Sequence, residues 1–432
     1  MLRALAHRNY RLFFLGQGVS LVGTWLSTTA TSWLVLRLAW QEGAVQAATV
    51  LGAVRFAAQV PMSALAPAAG VLVDRWNRHR VLVVTQALSM VQSTALAVLT
   101  ITGRINVANI IVLSIFQGLI NAFDAPARQA FVVEIVDRRD DLPNAIALNS
   151  SMFNGARLIG PAIAGILIAK IGEAACFTID AVSYLAVLIA LLMMQLKPRT
   201  KFPIEHSVVR QMRDGFAYAV GFPPVRALLV LAGLLSLTVA AFQTLMPIFA
   251  MRISVEHGAM VFGFLGAATG VGALSGAVFL ASRRTVVGLG RVVATAALLT
   301  GVAMIGFALM RSFPLMLFMG AMAGYGMIVN VAGCNTMLQT IVEDRMRARL
   351  MSFFVVAIMG AAPLGSLVSG WLADRIGAPA TTVIAGLCSV AGAIFILTRL
   401  PGLRKLIRPI YIQKGILPEV ASGLDEQSTT IG

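Results

Sequence analysis

The chain has 432 residues, of which 58% are hydrophobic and only 12% charged, and it carries a net charge of +16. A soluble domain runs at about 25% charged residues, so a water-soluble globule of this length is excluded. Apolar stretches of roughly 20 residues recur along the whole sequence, each long enough to cross ~30 Å of hydrocarbon, and none shows the short alternating segments of a membrane barrel.

The first stretch, 12–36, follows Arg3, His7, Arg8 and Arg11 and runs on to about Leu38. That is too long for the apolar region of a signal peptide, so it reads as an uncleaved first span. Further spans are predicted at 46–72, 81–101, 106–124, 144–169 and 174–196, then at 227–250, 259–281, 289–310, 313–338, 349–373 and 379–398. The expected fold is therefore all-α and polytopic, with twelve transmembrane helices in two six-helix halves. The expected segments are 1–196 for the first half, 197–226 for a central cytoplasmic loop, 227–398 for the second half and 399–432 for a disordered cytoplasmic tail. Within the loop, Ser207–Val220 reads as an amphipathic helix on the membrane surface.

The positive charge is unevenly spread. Arg37, Arg104, Lys170, Arg252, Arg311 and Arg375 fall at one set of span ends, Arg55 and Arg157 fall inside spans, and the other basic residues lie at the opposite set of ends. This asymmetry places both termini in the cytoplasm of a bacterial-type inner membrane. It explains the basic pI by topology and contact with anionic lipid headgroups, so nucleic acid is not an expected partner.

Gly70-Val-Leu-Val-Asp74-Arg75-Trp-Asn-Arg78-His-Arg80 is a dense charge cluster between two apolar runs. Asp74 ends span 2 on the cytoplasmic side, where span 11 begins, and a carboxylate beside a helix N-terminus gains up to roughly 1 kcal/mol. Asp74 is expected to reach span 11, and Arg75 or Arg78 to pair with Asp124 at the end of span 4. Together they would latch the inner side. In the plainer reading, the cluster only anchors topology.

Span 5 holds Gly155-Ala-Arg157-Leu-Ile-Gly160-Pro161-Ala-Ile-Ala-Gly165. Small residues at spacings of four allow close helix approach, and Pro161 loosens one backbone bond. Arg157 lies near the bilayer midplane, where a charge costs about 2.5–3.5 kcal/mol on insertion scales. It shares a face with Ser150 and Asn154. This face is a candidate cationic site for an anionic or oxygen-rich cargo; the alternative is an ion pair with a neighbouring helix, Asp180 being one partner. Other cavity candidates are Gln17, Thr24 and Thr28 on span 1, Gln117 and Asn121 on span 4, Gln243 on span 7 and Asn330 on span 10. For the span 1 hydroxyls, bonding back to their own helix is the equal alternative. Asp124 and Asp180 are the carboxylates placed to carry a proton.

Gly165-Ile-Leu-Ile-Ala-Lys-Ile-Gly172 is repeated as Gly370-Trp-Leu-Ala-Asp-Arg-Ile-Gly377, which makes spans 5 and 11 equivalents, as in transporters built from repeated halves. The three cysteines lie in apolar runs without metal-ligand spacing, and no His cluster or nucleotide-binding loop is present. No cofactor, metal site or catalytic constellation is expected.

The Gly70–Arg80 cluster is similar to motif A of the major facilitator superfamily. Arg8–Gln17, Asn121–Ala130 and Leu142–Asn149 running to Gly160-Pro161 resemble one of its branches, that of enterobactin-exporter-like and macrolide-efflux-like proteins, also called transmembrane secretion effectors. The span 5 segment resembles part of antiporter motif C. The resemblance implies a monomeric secondary-active exporter, not an enzyme, that moves a small molecule out of the cytoplasm by alternating access in exchange for protons. An arginine that related antiporters carry before Gln117-Gly118 is replaced by Ser114. The central Arg157 slightly favours a siderophore-like or other oxygen-rich cargo. The alternative is a multidrug or macrolide pump, ahead of an importer or a membrane sensor.

Overall fold

Where water is absent, every backbone amide must find its partner within the segment, so apolar runs of this length fold as helices. In the computed structural model, which describes residues 3–41, 43, 46–136, 138–196, 218–283 and 285–416, twelve helices are long and apolar enough to cross a membrane. They are α1 (Arg8–Gln41), α2 (Ala47–Arg75), α3 (Arg78–Ile101), α4 (Val107–Ile135), α5 (Leu142–Ile171) and α6 (Glu173–Leu192). The second set is α7 (Pro223–Ile253), α8 (Gly258–Ser282), α9 (Leu289–Leu309), α10 (Phe313–Ile341), α11 (Asp344–Ile376) and α12 (Ala378–Gln413). The fold is all-α among the described residues, as expected.

Local chemistry sets the turns. Asn77 and Asn106 cap α3 and α4 by accepting the amides of Arg80 (3.1 Å) and Asn109 (2.8 Å), satisfying donors left free at a helix start. The two repeated octets end alike: Gly172 and Gly377 stand at φ +89° and +87° and join α5 to α6 and α11 to α12. Only glycine adopts that backbone without strain.

The helix pairs repeat six helices apart. In the first half α1 packs on α5 and α6, α2 on α4, and α3 on α4 and α6; in the second, α7 packs on α11 and α12, α8 on α10, and α9 on α10 and α12. The halves meet through α2 with α11 and α5 with α8, again an equivalent pair. One face of the bundle carries the start of α1 and the α2–α3 turn; we term it basal, and the opposite face distal. Distally a single apolar core joins the halves, with Leu34 and Phe177 beside Phe242, Phe249 and Phe307. Basally there are two separate cores, one around Tyr10, Phe13 and Phe131 and the other around Leu228, Leu338 and Tyr411.

Two expectations need correction. Residues 399–413 are helical and not a disordered tail, because α12 continues with Leu400, Ile407 and Tyr411 buried while Arg399, Arg404, Lys405 and Arg408 face outward. Lys414 then donates to the carbonyls of Thr340 (2.8 Å) and Val342 (3.2 Å) at the end of α10. Likewise α4 runs well past position 124 to Ile135. Residues 207–217 of the expected amphipathic helix, and the polar end from Glu419, lie outside the described residues.

Candidate transport cavity

The contacts between the halves run from the distal end to about the middle of the bundle. On one side they run from Asp374, whose carboxylate accepts the amides of Ala48 (3.0 Å) and Thr49 (2.7 Å), to Ser63, whose hydroxyl donates to the Met359 carbonyl at 2.6 Å. On the other side the helix 5 motif meets α8. A methyl carbon placed on Gly263 would lie 2.8 Å from the Gly165 Cα, and one on Gly266 would lie 2.9 Å from the Pro161 Cβ. Gly160 faces the Cβ of Trp25. Trp33 stacks on Phe262 with ring centres 6.3 Å apart and closes the seam.

Basal to these contacts the halves part. Ser150 and Phe153 on α5 are exposed, and a methyl carbon on Gly70 or Gly155 would meet nothing within 4 Å. The cleft between the halves is thus shut at the distal face and open at the basal face.

At the closed end of the cleft lies a cavity of about 70 Å³ lined by Trp25, Thr28, Arg55, Arg157, Gln243 and Phe262, among others. Ligand pockets for drug-sized molecules span about 300–1,000 Å³, so this cavity alone is too small to enclose such a ligand. Arg157 projects from α5 with its guanidinium carbon 5.8 Å from the Trp25 ring centre and one nitrogen 3.7 Å from the Met327 sulfur. Gln243 approaches the same sulfur at 3.9 Å. Arg55 enters from α2. The ion pairs formed among the described residues involve neither Arg55 nor Arg157. The alternative of an Arg157–Asp180 pair is not realised.

The expected cavity residues divide. Arg157, Thr28 and Gln243 line this cavity. Asn154 and Ser150 follow basally on α5, with the Asn154 amide donating to the Ser150 carbonyl at 2.9 Å. Thr24 and Thr28 both donate back to their own helix, at 3.0 and 2.8 Å. Gln17 is buried in the first half. Asn330 does not reach the cavity: it is fully buried and donates to the Val293 carbonyl at 3.2 Å, tying α10 to α9. Gln117 donates to Ser89 (3.2 Å) and Asn121 (3.1 Å).

The two carboxylates lie behind the cavity, in the first half, each 2% exposed. Asp180 accepts from Ser93 at 2.6 Å. Asp124 accepts from Thr85 (2.9 Å) and Gln86 (2.8 Å) and is paired with Arg128. Thr85, Ser89 and Ser93 are spaced by four along α3, so one buried polar stripe runs between the carboxylates, with Gln117 on its middle member. That stripe is not among the sequence-based expectations above, although its i, i+4, i+8 hydroxyls are a readable signal.

Asp124 is not the partner of Arg75 or Arg78. It lies nearly three turns inside α4, whereas Glu134, near the true helix end, is level with the α2–α3 turn. Arg78 bridges Glu134 (2.7 Å) and Asp74 (2.9 Å). Asp74 is 53% exposed at its side chain, and Gly70 faces open space.

Residues 1–429 match the family model described as transmembrane secretion effector. The chain is 24% identical to the staphyloferrin A transporter of Staphylococcus aureus over 384 residues, covering 88% of this chain and 93% of that one. It is 28% identical to the multidrug efflux pump Tap of Mycobacterium tuberculosis over 399 residues, covering 90% and 91%. The peptide transporter POT, solved in complex with sulfate, shares the fold with a TM-score of 0.71 at 13% identity, covering 91% of this chain and 95% of that one. The chain is thus a multi-pass membrane protein of the transmembrane secretion effector family, a branch of the major facilitator superfamily of transporters.

Proposed function

We propose that the protein exports an anionic, oxygen-rich small molecule from the cytoplasm by alternating access, driven by inward movement of protons. The observation that carries this reading is the pair Arg55 and Arg157, which line one cavity at the closed end of the cleft with no carboxylate in its lining among the described residues. Two guanidiniums inside membrane-spanning helices, outside the ion pairs of the described residues, favour a ligand that brings its own negative charge. The name of the staphylococcal relative, a siderophore transporter, agrees with that chemistry.

The basal face, which carries the basic clusters, is taken as the cytoplasmic side of the inner membrane, with both termini there. The cavity then opens inward. Closing it would bring Asp74 to the start of α11, the basal counterpart of the Asp374 contact with the start of α2. Asp124 and Asp180, joined by the α3 stripe, are the proton carriers in this reading, and one chain contains the whole path, so a monomer suffices.

A second reading, efflux of hydrophobic drugs, is favoured by Trp25, Met246 and Phe262 in the same cavity and by the mycobacterial relative's name. Uptake into everted vesicles separates the two: radiolabelled di- and tricarboxylates should enter and compete with one another, whereas ethidium should enter if the aromatic wall dominates.

A further inference from the structure

Outside the cleft, between α3 and α4 on the outer surface of the first half, lies a groove of about 740 Å³. Its long walls are apolar: Val84 and Leu88 from α3 and Leu119 from α4 are exposed, and Phe116 from α4 is half-buried. Its basal rim is different. Arg75 and Arg80 stand there, and Trp76 stacks on Phe123 with ring centres 6.0 Å apart and planes 21° from parallel. Arg78, between them in sequence, is taken by Asp74 and Glu134. Arg75 and Arg80 belong to none of the ion pairs among the described residues.

We infer that this groove is a binding site for one anionic phospholipid of the basal leaflet. The phosphate would sit between Arg75 and Arg80, and an acyl chain would lie in the α3–α4 groove. Length supports this occupant. From Arg80 to Leu88 the helix rises roughly 12 Å, most of the ~15 Å depth of one leaflet. The charge is at the membrane surface, the aromatic pair at the headgroup level and the apolar walls below, which is the order of a lipid's own parts. A soluble anion would use the arginines and leave the walls bare.

The site also reaches the interior. Thr85 lies in the groove and donates to Asp124, and Phe123, under Trp76, is its chain neighbour. A bound lipid therefore packs against Thr85, one of the groups bonded to Asp124, and against Phe123 beside it in the chain, and its headgroup engages the Arg75 of the α2–α3 turn.

The test uses the full chain, delipidated in detergent and titrated with phosphatidylglycerol or phosphatidylcholine of identical chains, read by native mass spectrometry. The expected result is retention of phosphatidylglycerol at least tenfold above phosphatidylcholine. Arg75→Gln with Arg80→Gln should erase that preference, whereas Val84→Phe with Leu119→Phe, which fills the groove and keeps both arginines, should lower retention of both lipids. Phosphatidylglycerol with brominated chains should quench a fluorescence component that Trp76→Phe removes. Equal retention of the two lipids overturns the inference, as does retention unchanged in both double variants. Full displacement of the lipid by millimolar inorganic phosphate also overturns it, since the walls would then contribute nothing.

Discussion

The carboxylate of Asp374, at the end of α11, accepts the backbone amide of Thr49 at 2.7 Å and that of Ala48 at 3.0 Å, where α2 begins. One half of the molecule thereby caps a helix of the other. A carboxylate on a helix N-terminus in a partly buried setting contributes up to about 2 kcal/mol. In the repeated octets the equivalent position in the first half is Ala169, so the α5–α8 seam has no such cap and closes by glycine contact instead.

Removing that charge should loosen the distal seal. Asp374→Asn is expected to cost the distal-closed state about 1 kcal/mol, roughly fivefold in its population. With Cys388 replaced, a cysteine at Ser32 in the cavity reports the change: labelling by a membrane-impermeant maleimide from the distal face should rise by that factor. Unchanged labelling would remove Asp374 from the gate.

The other seam rests on the absence of side chains. Gly263→Leu would force its side chain into Gly165 and Pro161, and overpacking of this kind costs about 1–3 kcal/mol. The variant should open distally in the same labelling assay and transport more slowly, while Gly155→Leu, where a side chain meets open space, should leave distal labelling as it is.

The two cavity arginines should set specificity. Arg157→Gln and Arg55→Gln are each expected to lower carboxylate transport by at least tenfold, mainly through KM. Lysine at either position should restore part of it, a point charge in place of a planar fork. Measured KM values across the four variants check this; loss equal in the glutamine and lysine variants would point to a structural role.

The buried stripe on α3 concerns coupling. Asp180→Asn and Ser93→Ala should abolish transport driven by a pH gradient while sparing exchange of labelled for unlabelled substrate, which needs no net proton movement. Parallel loss of both activities would mean that Asp180 only holds α1, α3 and α6 together.

Asn330 provides a contrast. Asn330→Ala removes the second partner of the Val293 carbonyl in a buried site, a loss of about 0.5–1.5 kcal/mol. Thermal unfolding should shift downward with KM unchanged.

Much of this was readable in the sequence, and the failures share a cause. Twelve spans, the octet repeat and Arg157 follow from hydropathy and the cost of a charge in hydrocarbon, which act locally. Partners depend on level along the bundle. A span 4 that ends at 124 sets Asp124 at the membrane surface within reach of Arg75 or Arg78, whereas α4 runs to Ile135 and supplies Glu134 to Arg78 instead. Asn330 and Gln243 look alike as isolated polar groups; only the rotation of α10 and α7 turns the first towards α9 and the second into the cavity. Arg55 shares a cavity with Arg157 because α2 and α5 from the same half both border the cleft, a relation that no spacing in the chain encodes.

The central claim is outward, proton-driven movement of an anion through the Arg55–Arg157 cavity. Everted membrane vesicles with an acidic interior, supplied with radiolabelled tricarboxylate, test it most directly. The account predicts accumulation that collapses when the pH gradient is dissipated and that is lost in Arg157→Gln. Accumulation that persists without the gradient, or that survives Arg157→Gln undiminished, would contradict it.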